Sequence, residues 1–247
     1  MKWTPMLLVA VAAFAVAPPA ASQTLIASYH RCSTAYEGEA DFIMNTVLAD
    51  AYQKRVDDGS ISGWGWVKHT AGGAWRRIST ITAPDRNAAM NAWDEIVTEI
   101  EEEHPNAWHR FNEICDSHDD YIWNLTAASA EGTDPGTTPN AFVSQYLVCN
   151  VTMERRADEL MMEEMAPVYD KHIAAGHLAG WAWYSHEIGG RFRRLLTVTA
   201  ADDFDVLEGR TMVIDELFAE HADAFEEFSN ICGGHVDYMW ANGRPAN

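Results

Sequence analysis

Apolar residues along this chain follow two rhythms, and the rhythms alternate. Residues 25–32 are short and mostly apolar, as in a buried strand. Over residues 37–57 the apolar positions Ala40, Ile43, Met44, Val47, Leu48 and Ala51 recur at three-and-four spacing, which predicts a helix ended by Gly59. Residues 61–69 alternate Trp with Gly or Val, a strand pattern, and Ala71-Gly72-Gly73 supplies turn chemistry before a returning strand over 75–82. Pro84-Asp85 opens a second helix with Met90, Trp93, Ile96, Val97 and Ile100 on one face. His104-Pro105 breaks it, a further helical piece carries Trp108, Phe111 and Ile114, and residues 119–125 read as a last strand.

The same order then repeats. Residues 142–149 give a strand, 154–175 a helix, Gly180-Trp181-Ala182-Trp183 starts a second hairpin, and a helical region spans about 204–231. The offset is a constant 117 residues, without a gap from Tyr29/Tyr146 to Trp123/Trp240, and roughly a third of the aligned positions are identical. The chain is therefore a tandem duplication. Its expected parts are a repeat over residues 23–125, an Ala/Gly/Thr/Pro-rich linker over 126–140 and a second repeat over 141–247.

All four cysteines sit at repeat-equivalent positions, Cys32 with Cys149 and Cys115 with Cys232. Three pairings are possible. The duplication favours Cys32–Cys115 and Cys149–Cys232, because a self-sufficient ancestral unit carries its own bridge. Each closes a loop worth roughly 3–5 kcal/mol in the chain-entropy model. The spacing is unlike that of a zinc site, so no metal is expected.

Each repeat reads strand–helix–strand–strand–helix–strand. That order resembles the ferredoxin-like fold, and the split second helix resembles the dimeric α/β-barrel superfamily. The resemblance implies an α+β protein of two duplicated ferredoxin-like βαββαβ units, packed sheet-to-sheet as an intramolecular pseudo-dimer. It also places the end of the first strand beside the start of the fourth, where Cys32 and Cys115 fall. Some proteins of double-barrel architecture carry haem, but no His here stands out as an axial ligand, and no cofactor is expected.

Composition narrows the partners. The formal net charge of −20 disfavours nucleic acid and anionic membrane, which need clustered Lys or Arg. Lys2, the apolar residues 6–16, Pro18-Pro19 and Ala20-Ala21-Ser22 read as a signal peptide over residues 1–22, giving a periplasmic or extracellular protein. The apolar run is too short to span a bilayer.

Two residue sets carry candidate chemistry. If His69 pairs with Trp75 across the hairpin, one strand face holds Trp64, Trp66, Arg76, Thr80 and Thr82, copied as Trp181, Trp183, Arg193, Thr197 and Thr199. Placed between the sheets, these are the expected lining for a small, partly apolar or aromatic ligand. Gly63, Gly65, Gly180 and Ala182 then face the helices. A purely structural inter-repeat interface is the competing reading. The second set is the repeated Cys-x-x-His-x-Asp-Tyr-x-Trp, giving His118 with Asp120 and His235 with Asp237 as candidate catalytic pairs. The bland alternative is a strand-entry cap. His69 and His186 flank the hairpin turns and are expected to be exposed. Three functions follow: a ligand-binding protein, a cofactor-independent oxygenase or isomerase using His118 or His235 by fold analogy, or a structural or protein-interaction module.

Overall fold

A computed structural model describes residues 23–129 and 140–244. The expected signal peptide and most of the expected linker lie outside the described residues. The first repeat runs β1 (Thr24–Arg31), α1 (Glu37–Ile43), a π-helical segment (Met44–Leu48), α2 (Ala49–Asp57), β2 (Gly63–Ala71), β3 (Arg77–Ala83), α3 (Arg86–Glu103), α4 (Pro105–Ile114) and β4 (Ser117–Ala128). The second runs β5 (Ala141–Val148), a 3-10 turn (Val151–Met153), α5 (Glu154–Leu160), a π-helical segment (Met161–Met165), α6 (Ala166–Ala174), β6 (Gly180–Ile188), β7 (Arg194–Ala200), α7 (Asp203–Glu220), α8 (Ala222–Ile231) and β8 (Gly234–Asn242). β4 continues past residue 125 into the stretch expected as linker.

Local chemistry sets most boundaries. Asp85 caps α3 by accepting from the Ala88 N–H, and Asp202 caps α7 by accepting from the N–H groups of Phe204 and Asp205. Pro105 opens α4, where its missing N–H costs nothing. The helix expected over residues 37–57 carries a π turn in its middle, and the second repeat carries one at the equivalent place. The wider turn rephases the apolar stripe, so Ala40, Ile43, Met44, Leu48, Ala51 and Tyr52 are all buried.

Within each repeat the strand order is ferredoxin-like, β4-β1-β3-β2 and β8-β5-β7-β6. The sheets do more than face one another. β2 pairs with β8 and β4 with β6, all antiparallel, so the eight strands close into one barrel. Helices cover the outside of each sheet over two apolar cores. A third core, mostly aromatic, fills part of the lumen. Disulfides join Cys32 to Cys115 and Cys149 to Cys232.

The repeats interlock at the hairpin turns. Gly72 has φ +124°, and a Cβ there would lie 2.7 Å from the Asp237 carbonyl oxygen of the other repeat. Gly189 has φ +140°, and a Cβ there would clash with Tyr121. The Gly-Gly turn of each hairpin thus folds over the tyrosine of the other repeat's Asp-Tyr-x-Trp strand. This accounts for the conjunction of both motifs in both copies. Gly72→Ala should destabilise the chain by about 1–3 kcal/mol, because it adds a strained φ to a backbone clash. Gly38→Ala, where a Cβ meets nothing within 4 Å, should not. Urea unfolding of the two variants measures the difference.

Candidate functional site

The hairpin pairs one residue out of the expected register. Lys68 opposes Arg77, Trp66 opposes Ser79 and Trp64 opposes Ile81, so His69 lies opposite Arg76 and not Trp75. A one-residue slip exchanges the two faces of a strand. The expected ligand set is therefore divided between them. Trp64 and Trp66 lie under the helices, with indole N–H groups donating to Gln53 Oε1 at 3.3 Å and Asp41 Oδ1 at 2.9 Å. Trp181 and Trp183 do the same to Asp170 at 2.7 Å and Asp158 at 2.8 Å. Gly63, Gly65, Gly180 and Ala182, expected against the helices, alternate with these tryptophans and take the lumen side.

Arg76 and Arg193 sit at the hairpin ends. Each donates to the carboxylate opening its own repeat's first helix, Glu37 or Glu154, at 2.5 Å, and contacts His69 or His186 Nδ1 at 2.7 Å. The two histidines are half-buried, contrary to expectation, and pack against Tyr238 and Trp240 or Tyr121 and Trp123 of the opposite repeat. Thr80, Thr82 and Thr197 line a lumen cavity of about 260 Å³, whereas the Thr199 hydroxyl donates to the Gly180 carbonyl at 3.3 Å.

The His118–Asp120 pair lies elsewhere, on the helix-facing side of the first sheet. Strand pairing sets His118 opposite His30, Asp120 opposite Ser28, and Ser28 opposite Ser79. Three adjacent strands thereby present one polar patch. It floors a cavity of about 200 Å³ whose apolar walls are Met44, Trp93, Val97, Ile100, Trp108 and Phe111. His118 Nδ1 is 2.9 Å from Asp120 Oδ1, and the Ser28 hydroxyl donates to the same oxygen at 2.5 Å. His118 and Asp120 are about half exposed, at 48% and 53%, and stand at the cavity mouth. His30 is buried, its Nε2 3.0 Å from Ser79 Oγ and its ring 5.7 Å from that of His118. Burial, reinforced by nearby His118, lowers its pKa to about 3, so it is neutral at ordinary pH. Burial pushes the Tyr52 hydroxyl, bonded to Ser79, up to about 12.

The second repeat does not reproduce this patch. Gln145, Leu147 and Leu196 stand where the first repeat has Ser28, His30 and Ser79, and both leucines are buried in the core. Arg210 replaces Trp93 and holds Asp237 at 2.9 Å, while His235 Nε2 is 3.8 Å from that carboxylate. His118 and Asp120 were legible as a motif. Ser28, His30 and Ser79 were not, although His30 and Ser79 are positions at which the aligned repeats disagree in chemistry.

Among the described residues, no group of three or more potential metal ligands comes together. A haem does not fit the first-repeat cavity either. About 200 Å³ is below the roughly 300 Å³ at which pockets for drug-sized ligands begin, and a porphyrin is larger than such a ligand.

The buried neutral His30 ties stability to pH. Its folded pKa lies below its unfolded value, so its contribution is complete above about 6.5 and is lost as pH falls toward 3, by at most about 1.4 kcal/mol per pH unit. His30→Leu, which installs the residue of the second repeat, should flatten that part of the pH–stability curve. Denaturant unfolding from pH 7 to 4 reads the slope.

No family model matches the sequence, and no curated protein matches it. Solved structures do. A candidate monooxygenase from Fusobacterium nucleatum is 10% identical with a TM-score of 0.59, over 91% of this chain and 94% of that one. A candidate monooxygenase from Lactobacillus acidophilus is 7% identical with a TM-score of 0.56, over 90% and 97%. An anthrone oxidase-like protein is 11% identical with a TM-score of 0.54, over 90% and 92%. At these identities the likeness is one of fold: the chain is a tandem dimeric α/β barrel, two ferredoxin-like units in one polypeptide.

Proposed function

We propose that the first repeat is a proton-transfer enzyme for a small, partly aromatic substrate, of the oxygenase or isomerase kind, with His118 as general base. The observation that carries this reading is the His118–Asp120 pair at the mouth of an apolar cavity floored by Ser28, His30 and Ser79. Asp120 fixes His118 through Nδ1, which leaves Nε2 as the basic nitrogen, and stabilises the imidazolium that forms. Ser28 steadies the carboxylate. His30, held neutral, can donate a hydrogen bond to charge developing on the substrate without competing for its proton. Trp93, Trp108 and Phe111 suit an aromatic ring. The monooxygenase and oxidase descriptions of the structural neighbours favour the same class of chemistry.

The deprotonated substrate has two fates. Return of the proton to another carbon gives an isomer, and capture by dioxygen gives an oxygenated product. Export accompanies the proposal. The apolar N-terminal stretch suits a signal peptide, and two disulfides suit an oxidising compartment, periplasmic or extracellular. Among the described residues no helix is long and apolar enough to cross a membrane.

The test is a panel of one-ring phenols and enolisable ketones in D2O, with deuterium incorporation followed by NMR and dioxygen uptake by electrode. Exchange on a panel member should fall about 10²- to 10⁴-fold in His118→Ala, the span typical of a lost general base. It should fall also in Asp120→Asn and be unchanged in His235→Ala. Full exchange in folded His118→Ala, or an equal loss in His235→Ala, would overturn the assignment. Dioxygen uptake separates oxygenase from isomerase.

A further inference from the structure

An eight-stranded barrel has an interior just wide enough to be filled by side chains or to hold one small ligand. This barrel does each in one half. Toward the ends of β1 and β5, aromatic rings close the lumen: Tyr29 stacks on Trp75 at 4.3 Å, Trp75 stacks on Tyr238 at 5.0 Å, and Phe192 packs against Tyr146 at 5.6 Å. Toward the other end, where β1 and β5 begin and β3 and β7 finish, the rings thin to Phe142, Tyr184 and Trp240, and smaller side chains such as Ala27, Thr80 and Ser144 stand between them. The lumen positions of β2 and β6 there are Gly63, Gly65, Gly180 and Ala182. The repeated Gly-Trp pattern sends its bulk outward under the helices and sends nothing inward. A cavity of about 260 Å³ lies in the lumen beside these positions, lined from β2 and β6 by Val67 and Tyr184.

Its walls are chemically specific. Thr80, Thr82, Ser144 and Thr197 bring hydroxyls to it, with Ser144 Oγ and Thr197 Oγ1 3.3 Å apart, among apolar neighbours such as Leu25 and Phe142. No side chain lining it is charged. A charged guest would lose its hydration with no counter-charge in return, so a neutral one is favoured. One wall is also short of an acceptor. Trp123 donates its indole N–H to Tyr29 Oη at 3.2 Å, whereas its repeat equivalent Trp240, which lines the cavity, has a buried indole N–H without a partner. A volume below the roughly 300 Å³ of drug-sized pockets limits the guest to about one ring.

We infer that the open half of the barrel lumen is a second binding site, separate from the first-repeat cavity, for one neutral single-ring molecule bearing a hydroxyl or carbonyl oxygen. The two sites lie on opposite faces of the same sheet. Ser28 and Ser79 face the helices, while Ala27 and Thr80 face the lumen.

The full chain with the first-repeat cavity closed by His30→Leu and Ser79→Leu isolates the lumen, since both substitutions copy the second repeat. Titration with 4-fluorophenol, followed by 19F NMR, should show saturable binding of one equivalent, at least about tenfold tighter than 4-fluorobenzoate. Adding Thr80→Leu and Thr197→Leu should weaken 4-fluorophenol at least about tenfold, with the unfolding transition retained. Ala27→Leu, at a residue that lines the cavity, is the second lumen-filling variant. Absence of saturable binding at millimolar probe in the closed-cavity protein, which is the outcome for a merely hydrated lumen, overturns the inference. Unchanged affinity in folded lumen-filled variants does so too. Neither result touches the role of His118, which the exchange assay reads independently.

Discussion

The open edges of a four-stranded sheet are the constraint on which this molecule depends. A ferredoxin-like unit exposes unpaired backbone groups along both edge strands, and such edges invite association. Here the edges of one unit satisfy those of the other: β2 takes β8 and β4 takes β6. Closure brings the other pairings with it. His69 and His186 reach across the seams to the aromatic pairs of the opposite repeat, and the Gly-Gly turns fold over Tyr238 and Tyr121. Neither repeat is thus a free-standing domain, although each has its own disulfide and its own sheet–helix core.

Inside each unit a buried ion pair anchors the first helix to the sheet. Arg77 grips Asp41 at 2.7 and 2.9 Å while Trp66 donates to the same carboxylate. Arg194, Asp158 and Trp183 repeat the arrangement. A buried charge needs a partner with good geometry, and the bidentate fork provides it. The two copies agree at these residues and disagree at Ser28/Gln145, His30/Leu147 and Ser79/Leu196. Agreement marks the scaffold, and disagreement marks where one copy holds a polar floor that the other has filled with leucine. A protein assembled from two identical chains has no such freedom, because every substitution appears twice.

The duplication, the element order and both disulfides were legible in the sequence, because each rests on spacing that the offset of 117 residues checks twice. The hairpin register was not. Both faces of β2 and β3 carry a plausible mixture of Trp, Val, Ile and Thr, and several unpaired residues separate Ala71 from Arg77, so the turn does not set the parity. That single residue moved Trp64 and Trp66 from the lumen to the helices. His118 and Asp120 could be read from their repeated motif. Ser28, His30 and Ser79 are ordinary strand residues in isolation, and only the pairing of β1 with β3 and β4 makes them neighbours of that pair.

The first disulfide has a place in this arrangement that the second lacks. Cys32 follows directly on the strand carrying Ser28 and His30, and Cys115 directly precedes the strand carrying His118 and Asp120. The bridge therefore pins together the ends of the two strands whose alignment assembles the polar floor. Its partner in the second repeat pins the strand carrying Gln145 and Leu147 to the strand carrying His235 and Asp237. Reduction would cost the two halves similar chain entropy but unequal local structure: one half loses a brace beside leucine, the other the clamp that keeps its polar floor aligned. Alignment of that floor is in that sense coupled to an oxidation, the closing of the Cys32–Cys115 bridge.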